Sequence, residues 1–357
     1  MDIVMDMSYQ IILNLQIPSD LSNLIAEIDE FKGRWESLKN SAPDHLSVLR
    51  KVATIASISS STRIEGARLS DADVENLLKN IGPYSFRNRD EEEVVGYADA
   101  LNLIFDSYAA IPIAENHMKQ LHGILLKYSG KDQRHKGEYK KQPNHVEAFD
   151  KDGKSIGVVF ETATPFDTPF YMKDLTAWYA REITERTLHP LLIIGGFVVH
   201  FLAIHPFQDG NGRMARILTT LMLLQQGYEY VPYCSLESIV EENKEQYYLA
   251  LRKAQTSFKS DHAGMEEWLR YLLRMLKKQK DILAARLEEQ NALVLTRLPD
   301  LSAAILQHVS NRTKATLSVL MTLTNANRNT LKKHLQALVK KGLLKKHGVR
   351  KGTWYTK

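Results

Sequence analysis

Cysteine is almost missing from this chain of 357 residues, in which Cys234 stands alone. A lone cysteine excludes an internal disulfide and a zinc site built on cysteine ligands, so we expect a reducing compartment and a small buried apolar role for Cys234. Long apolar runs are also missing, because no segment offers the roughly 18 unbroken apolar residues of a membrane span. The apolar stretch near the amino terminus carries Asp2 and Asp6 where a secretory signal carries Lys or Arg. These absences predict a cytoplasmic protein without a membrane partner.

Acidic side chains are absent from the last part of the chain. Residues 301–357 contain twelve Lys or Arg and no Asp or Glu, whereas residues 1–300 contain 35 basic and 42 acidic residues. The net charge of +5 therefore hides an acidic body and a basic tail. Since a chain of this length forms about two or three folded units, we expect the body and the tail to have different tasks.

Helical periodicity covers most of the chain. Apolar residues at three- and four-residue spacing predict helices over 20–39, 45–59, 71–80, 90–108, 114–128, 171–187, 190–204, 213–226, 241–258 and 264–292. The pattern changes at 136–165, where alternation around Asp152-Gly153 predicts a β-hairpin with strands near 144–149 and 155–160. The sequence thus predicts a mainly α protein with one hairpin in its body.

The most informative stretch is HPFQDGNGRMAR, residues 205–216, which lies between two apolar helical patterns. Gly210, Asn211 and Gly212 are residue types that let a backbone turn its N–H groups inward. The following helix adds the positive end of its dipole, so this turn predicts an anion cradle.

Charged side chains flank the cradle on both sides. Arg213 and Arg216 are three residues apart, on one helical face, where both are expected to reach a polyphosphate. Asp209 supplies an oxygen ligand suited to Mg²⁺ bound to phosphates. His205 is a base whose ordinary pKa lies near neutrality, so it can accept a proton from an attacking hydroxyl.

This stretch resembles the signature of Fic domain proteins, His-x-Phe-x-(Asp/Glu)-Gly-Asn-Gly-Arg-x-x-Arg, with every defined position filled. The resemblance covers roughly residues 1–290 and implies a Fic-type helical bundle. It also implies AMPylation, in which AMP passes from ATP to a protein hydroxyl and pyrophosphate is released.

The resemblance assigns a role to each residue of the loop. His205 is expected as the general base, Asp209 as the Mg²⁺ ligand and Phe207 as a buried anchor. The phosphate-binding residues are expected to be Gly210, Asn211, Gly212, Arg213 and Arg216. Fic-fold variants that phosphorylate have a bulkier or charged residue at the second glycine, which is intact here, so AMP transfer is favoured.

A second motif, SSSTRIEG, contains Ser61, Glu65 and Gly66 in the order (Ser/Thr)-x-x-x-Glu-(Gly/Asn). It is similar to the inhibitory helix that precedes the core in some Fic proteins. The resemblance implies that Glu65 pairs with Arg216 and keeps that arginine from the γ-phosphate, a task suited to an Arg–carboxylate contact. The plainer alternative is an exposed glutamate at a helix end. The same carboxylate could position a water that removes AMP, so the direction of reaction stays open.

The hairpin within residues 137–162 is similar to the flap of the family, which binds a target peptide along a strand edge. Val146, Gly157 and Val158 are the candidate edge residues. A surface hairpin without a partner is the alternative.

Tyr247 and Tyr248 occur where the family lines its adenine pocket, although aromatic residues at helical spacing also form ordinary cores. Gln255 stands where relatives commonly have Asn, which leaves the contact to the adenine edge open. Other histidines, His200 among them, lack metal-ligand spacing and are assigned to packing.

The basic tail, residues 296–357, predicts a winged helix-turn-helix domain. Its expected parts are helices at 301–310 and 315–322, the helix in NRNTLKKHLQALVKKG, and a wing that turns at Gly348 or Gly352. Modules of this charge bind the DNA backbone with their second helix in the major groove. The same fold also serves for protein docking or dimerisation, so DNA and a second copy of the chain are both open as partners.

The sequence therefore predicts three parts: a helical region over 1–110 with the inhibitory motif, a Fic core over 111–295, and a winged helix over 296–357. The predicted function is a self-inhibited adenylyltransferase that uses ATP and Mg²⁺ and modifies Ser, Thr or Tyr hydroxyls of a target protein or of itself. Two alternatives are a hydrolase that removes AMP at the same site, and a DNA-binding regulator whose core senses nucleotide.

Overall fold

The fold is seen in a computed structural model that describes residues 17–39, 43–80, 86–149, 155–258, 263–296, 298–310, 314–349 and 352–356. The chain divides into two compact units. The first comprises the chain up to Gly33 with Leu49–Lys280, and the second comprises Arg34–Val48 with the residues from Asp281 onward. The predicted limits 1–110, 111–295 and 296–357 stay predictions. Among the described helices, none is both long enough and apolar enough to cross a bilayer.

Helices make up most of the first unit, as the mainly α class requires. The helices that lie in it or enter it are α1 (Ser19–Lys39), α2 (Pro43–Ile64), α3 (Asp71–Lys79), α4 (Arg89–Ser107), α5 (Glu115–Leu125), α6 (Thr168–Glu185), α7 (Pro190–Ile204), α8 (Asn211–Gln225), α9 (Leu236–Glu242), α10 (Lys244–Ser257) and α11 (Ala263–Thr296).

Two predicted helices differ from the observed ones. Helix α2 continues past Ser59 to Ile64, so the inhibitory motif begins in its last turn. The predicted helix 241–258 is wrong, because α9 and α10 are separated at Asn243. The Asn243 side chain donates to the Ile239 carbonyl at 2.7 Å. Such a local bond competes with the helical ladder and ends α9.

Helix α7 is the buried centre of the first unit. Pro190 occupies its first turn, where the missing N–H has no partner to lose, and the His189 ring accepts a bond from the Leu191 amide at 3.3 Å. Every residue from Leu191 to Ile204 is buried. A helix that is apolar on all sides must be covered on all sides, and α7 packs against α6 and α8.

The hairpin consists of β1 (His145–Phe149) and β2 (Ser155–Glu161), which confirms the predicted strands to within one residue. The strands are antiparallel, with His145 opposite Glu161 and Phe149 opposite Ser155. The candidate edge residues take these register positions: Val146 opposite Phe160, Gly157 opposite Ala148, and Val158 opposite Glu147. The predicted turn at Asp152-Gly153 lies outside the described residues.

In the carboxyl-terminal part of the second unit, the described residues form three helices and a small sheet. The helices are α12 (Asp300–Ser310), α13 (Leu317–Thr324) and α14 (Arg328–Lys340). The antiparallel sheet has the order β3 (Ala315–Thr316), β5 (Trp354–Thr356) and β4 (Lys345–His347). Its core includes Ile305, Val309, Leu320, Leu331, Leu335 and Leu338. The winged-helix assignment of this part stays a prediction.

Candidate active site

A cavity of about 300 Å³ lies between the carboxyl end of α7 and the amino end of α8. The predicted site residues in its walls are Glu65, His205, Asp209, Gly210, Asn211, Gly212, Arg216, Tyr247 and Tyr248. Asn144 and His145, at the base of the hairpin, complete the walls on another side. Segments that are far apart in the sequence therefore meet at one site.

His205 lies at the end of α7 with φ near 52°, in the left-handed region. Its Nδ1 lies 3.2 Å from the Leu202 carbonyl, which can only accept, so Nδ1 carries the proton and Nε2 keeps a free lone pair. Burial, aided by the positive charge of Lys140, lowers the pKa of His205 to about 4. The imidazole is therefore neutral at physiological pH and can accept a proton.

Phe207 and Asn211 fix the loop between these helices. The Asn211 amide spans the turn: its Oδ1 accepts from the Phe207 N–H at 2.9 Å and its Nδ2 donates to the Phe207 carbonyl at 2.7 Å. The Phe207 ring is fully buried and stacks on His122 with centroids 3.9 Å apart. Phe207 thus has the anchoring position expected, while the Asn211 side chain holds the loop itself.

Lys140, in the segment before the hairpin, forms hydrogen bonds with the backbone on either side of His205. The Lys140 N–H donates to the Pro206 carbonyl at 2.8 Å, and its ammonium donates to the Ile204 carbonyl at 2.9 Å. The same ammonium contacts Asn144 at 2.8 Å and Thr162 at 2.9 Å, next to the two ends of the hairpin. Burial lowers the pKa of Lys140 to about 7. Lys140 therefore connects both hairpin ends to the residue before His205.

Asp209 and Arg213 belong to an ion network with α4 that is buried at Arg213 and Glu93 and partly exposed at Asp209 and Arg89. Arg213 pairs with Glu93 at 3.1 Å and with Asp209 at 3.3 Å, and only 2% of its side chain is exposed. Arg89 contacts Asp209 at 2.5 Å and Glu93 at 2.7 Å. Burial alone would raise the pKa of Asp209, but the charges of Arg213 and Arg89 outweigh it and lower that pKa. Arg213 thus pairs with Glu93 and is not among the residues that line the cavity, and its expected contact with phosphates stays a prediction.

Arg216 does face the cavity, and the inhibitory motif occupies it. Its guanidinium donates to the Ser61 hydroxyl at 2.7 Å, the Ser61 carbonyl at 2.9 Å and Glu65 Oε1 at 2.7 Å. Burial lowers the pKa of Arg216, but the Glu65 carboxylate together with the Tyr247 and Tyr97 side chains outweighs burial and raises it. The contact expected between Glu65 and Arg216 is therefore present.

The motif is held in place by the backbone at Gly66 and by helix α9. Gly66 has φ near 105°, a conformation that few other residues adopt, and it turns the chain directly after Glu65. Arg63 forms a two-pronged contact with Glu241 at 2.7 and 2.9 Å, and Ser60 lies 3.0 Å from Ser238. These contacts fasten the end of α2 to α9.

The Glu65 carboxylate lies directly over Gly212. A Cβ atom built at Gly212 would be 2.2 Å from Glu65 Oε1. The absence of a side chain at this position therefore allows the carboxylate to reach Arg216.

Tyr247 and Tyr248 lie on α10 and form the aromatic wall of the cavity, with ring centroids 5.4 Å apart. Leu251 and Gln255 continue this wall along the same helix. Burial raises the pKa of Tyr247 to about 12, so its hydroxyl stays neutral. The wall thus offers aromatic and aliphatic side chains, followed by the amide of Gln255 on the same helix.

Asp209 is the candidate ligand for a divalent cation beside the glycine turn at the start of α8. Asp209 lines the cavity, and the described residues contain no group of three or more His, Cys, Asp or Glu side chains that could hold a metal by themselves. A single carboxylate fits an ion that arrives with phosphate oxygens and water as its other ligands, the usual manner of Mg²⁺.

Sequence reasoning missed the residues that support the site. Arg89, Glu93, His122, Lys140 and Asn144 occur in no motif or regular spacing, and no local signal marks them. The His122 ring packs against Phe207, in keeping with the packing role assigned to the other histidines. Its Nε2 also contacts the Asp209 backbone carbonyl at 3.0 Å. These roles arise only where distant segments meet.

Comparisons with known proteins agree with this geometry. Residues 112–223 match the sequence model of the Fic/DOC family. A probable protein adenylyltransferase of Aquifex aeolicus is 32% identical over 100 residues, which cover 28% of each chain. The protein adenylyltransferase Fic of Drosophila melanogaster is 25% identical over 273 residues, covering 73% of this chain and 50% of that protein. The chain thus spans half or less of the length of these curated relatives.

Solved structures share the fold. A Fic family protein of Desulfovibrio desulfuricans is 22% identical with a TM-score of 0.61, covering 96% of this chain and 97% of its own. A Fic domain containing signaling protein of Bacteroides thetaiotaomicron is 24% identical with a TM-score of 0.60, covering 74% of this chain and 97% of its own. Residues 112–223 thus match the Fic/DOC family in sequence, and the chain shares its fold with these solved structures.

Proposed function

We propose that this chain is a protein adenylyltransferase, which transfers AMP from ATP to a hydroxyl of a protein. One observation carries the proposal: a neutral His205, the glycine turn of α8 and Arg216 line a single cavity together with two tyrosines. Nucleotidyl transfer depends on positioning and charge neutralisation, and this cavity supplies both. The similarity to proteins named adenylyltransferases supports the same activity.

In the proposed reaction the hydroxyl oxygen of the target attacks the α-phosphorus of ATP. His205 Nε2 accepts the hydroxyl proton, the new O–P bond forms, and the bond from the α-phosphorus to the bridging oxygen breaks as pyrophosphate leaves. The amides at the start of α8 stabilise the charge that develops on the phosphate oxygens. Tyr247 and Tyr248 would hold the adenine by stacking.

A divalent cation, for which we propose Mg²⁺, would be held by Asp209 and would neutralise phosphate charge. Arg89 and Arg213 already compensate the Asp209 carboxylate. They keep it ionised and oriented at the mouth of the cradle.

We propose that the chain inhibits itself through Glu65. Arg216 already has three acceptors from the inhibitory motif, so a γ-phosphate would have to displace the Glu65 carboxylate to reach it. A hydrogen bond to a charged group contributes about 1.5–3 kcal/mol, which corresponds to a factor of roughly 10 to 150 in the nucleotide equilibrium. Release of Glu65 is therefore expected to increase transfer by about that factor.

The free edge of the β1–β2 hairpin is the proposed target site. Its strand ends adjoin Asn144 and Thr162, which Lys140 connects to the residue before His205. A target segment paired along this edge would place a Ser, Thr or Tyr hydroxyl near the imidazole.

The test is transfer of α-labelled phosphate from ATP to protein by the full chain. It compares the wild type with Glu65→Gly, Glu65→Gly with His205→Ala, and Glu185→Gly, which changes an exposed glutamate at the end of α6 as a matched control. Label that rises in Glu65→Gly, disappears with His205→Ala and stays at the wild-type level in Glu185→Gly supports the proposal.

Absence of labelled protein in every variant would overturn AMP transfer, both to the chain itself and to any target protein added to the reaction. Release of free AMP from a target protein that already carries AMP would instead establish the hydrolase alternative.

A further inference from the structure

A basic groove of about 920 Å³ crosses the carboxyl-terminal part of the second unit. It runs between α14, the start of α13 and the small sheet. Four basic side chains line it, from Arg328, Lys332, Lys340 and Lys346, and the polar residues among them are Thr316, Ser318, Gln336 and Thr353. The catalytic proposal uses none of these residues.

Helix α14 presents its cations in a regular stripe. Arg328, Lys332, Gln336 and Lys340 are exposed and follow one another at four-residue spacing. Steps of four residues place successive side chains about 6 Å apart along one face of a helix. The adjoining face carries Leu331, Leu335 and Leu338, which are buried in the core. The stripe is therefore a fixed outer surface.

The positive charge of this surface is not neutralised by any carboxylate side chain of residues 301–357. Residues 301–357 contain no Asp or Glu, so neither α14 nor the sheet can form an ion pair within this stretch. Lys345 and Lys346 on β4 are also exposed and extend the charge to the sheet. A groove with this charge attracts anions of another molecule.

We infer that α14 and this groove bind double-stranded DNA, with α14 in the major groove. The inference is independent of the adenylyltransferase proposal. The helix has 13 residues, so it is about 20 Å long, and the major groove of about 12 Å in width admits such a helix. Lys340 and Lys346 would contact phosphates on either side.

The residue types on the exposed face favour DNA over an acidic protein. Arg328, Asn329 and Gln336 lie in the first three turns of α14, and Arg, Asn and Gln are the side chains that form paired hydrogen bonds with base edges. A surface that binds only acidic side chains has no need of these amides. Asn327 caps the helix by accepting from the Thr330 amide at 2.9 Å, so the start of the helix is well fixed.

The experiment measures binding of the full chain to a fluorescently labelled random-sequence duplex by anisotropy, in increasing KCl. Neutralisation of about four phosphates predicts that affinity falls roughly a hundredfold between about 50 and 200 mM salt. Lys332→Glu should weaken binding at least roughly tenfold at low salt. Lys173→Glu, an exposed lysine of α6, makes the same change of charge in the first unit and should leave binding unchanged.

Selection of the best-bound sequences from a pool of random duplexes then tests whether α14 contacts bases specifically. Asn329→Ala and Gln336→Ala should relax the selected sequence, whereas Lys332→Glu should weaken all duplexes alike. Absence of DNA binding at low salt would overturn the inference. Equal weakening by Lys173→Glu would also overturn it. Full displacement of the duplex by polyglutamate at equal charge concentration would assign the groove to an acidic protein partner instead.

Discussion

The positive charges of the two units are held in opposite ways. In the first unit, Arg216 in the cavity wall and Arg213 on the same helix are almost fully buried, and each contacts a carboxylate, from Glu65 and Glu93 respectively. On α14 of the second unit, Arg328, Lys332 and Lys340 are exposed in a stretch without any acidic residue. A ligand of the cavity must therefore displace or join an internal partner, whereas a ligand of α14 displaces only water and salt ions.

This difference indicates how each site is controlled. Under the proposed self-inhibition, nucleotide binding in the cavity requires the Glu65 carboxylate to leave Arg216. Binding on α14 depends on ionic strength, because exposed charges are screened by salt. The following predictions test this contrast, in order of decreasing effect.

Removal of the carboxylate of Glu93 gives the largest expected effect. Glu93→Leu leaves the Arg213 guanidinium buried without its closest partner. Loss of one partner of a buried pair lowers the free energy of unfolding by about 3–5 kcal/mol. Urea unfolding measures this loss of the free energy of unfolding. Glu267→Leu is the control, because it breaks an exposed ion pair: Glu267 and its partner Lys253 are each 47% exposed. A loss no greater than that of the control would show that the buried pair is not the stabilising contact.

A methyl group at Gly212 is expected to expel the Glu65 carboxylate. Gly212→Ala would place a Cβ 2.2 Å from Glu65 Oε1, and the flexible end of Glu65 is the part that can move. Arg216 then loses a charged hydrogen bond, so the free energy of unfolding without nucleotide should fall by about 1–3 kcal/mol. In a Glu65→Gly background, Gly212→Ala should leave the free energy of unfolding almost unchanged. If the losses of the two single variants add up in the double variant, Gly212→Ala does not act through the contact between Glu65 and Arg216.

The pH dependence of the free energy of unfolding tests the burial of Lys140. Burial lowers the pKa of Lys140 from 10.5 to about 7, so between these values the unfolded chain binds more protons than the folded chain. The free energy of unfolding should therefore rise as pH increases from about 7 to 10.5, and Lys140→Met should flatten this rise.

The same variant should raise the pKa of His205, which lies at about 4, because it removes a positive charge that opposes the imidazolium. NMR titration of His205 measures the shift, which we expect to stay within about one pKa unit, or 1.4 kcal/mol. Lys173→Met is the surface control. An unchanged His205 titration would show that Lys140 does not act on the imidazole.

Neutralisation of a lysine on α14 gives the smallest expected effect. Lys332→Ala removes an exposed charge from a cluster of like charges, so the free energy of unfolding should change by less than about 0.5 kcal/mol and increase rather than fall. The gain should vanish in roughly 1 M salt, where charges more than about 3 Å apart are screened. A clear destabilisation in urea would show that Lys332 has an internal partner.

Much of the fold was accessible to prediction, because α7 and the hairpin strands have local signals. The apolar residues of α7 and the Pro190 at its start predict a buried helix, and β-branched alternation predicts the strands. The break at Asn243 was not predicted, since a single side-chain bond to the backbone decides it. Within the site, the signature places His205 and Asp209, while the resemblance implies the contact between Glu65 and Arg216.

The sequence by itself determined the loop of residues 205–216, the inhibitory motif and the separation of charge between body and tail. Each of these depends on residues that are close in the chain. The tertiary structure alone decided that Arg216 faces the cavity while Arg213 turns to Glu93, although both lie on the same helix, three residues apart. Helical spacing places the two guanidinium groups near each other, but the charge each one meets comes from α4 or from the end of α2. Long-range packing brings those carboxylates there, and no local pattern encodes it.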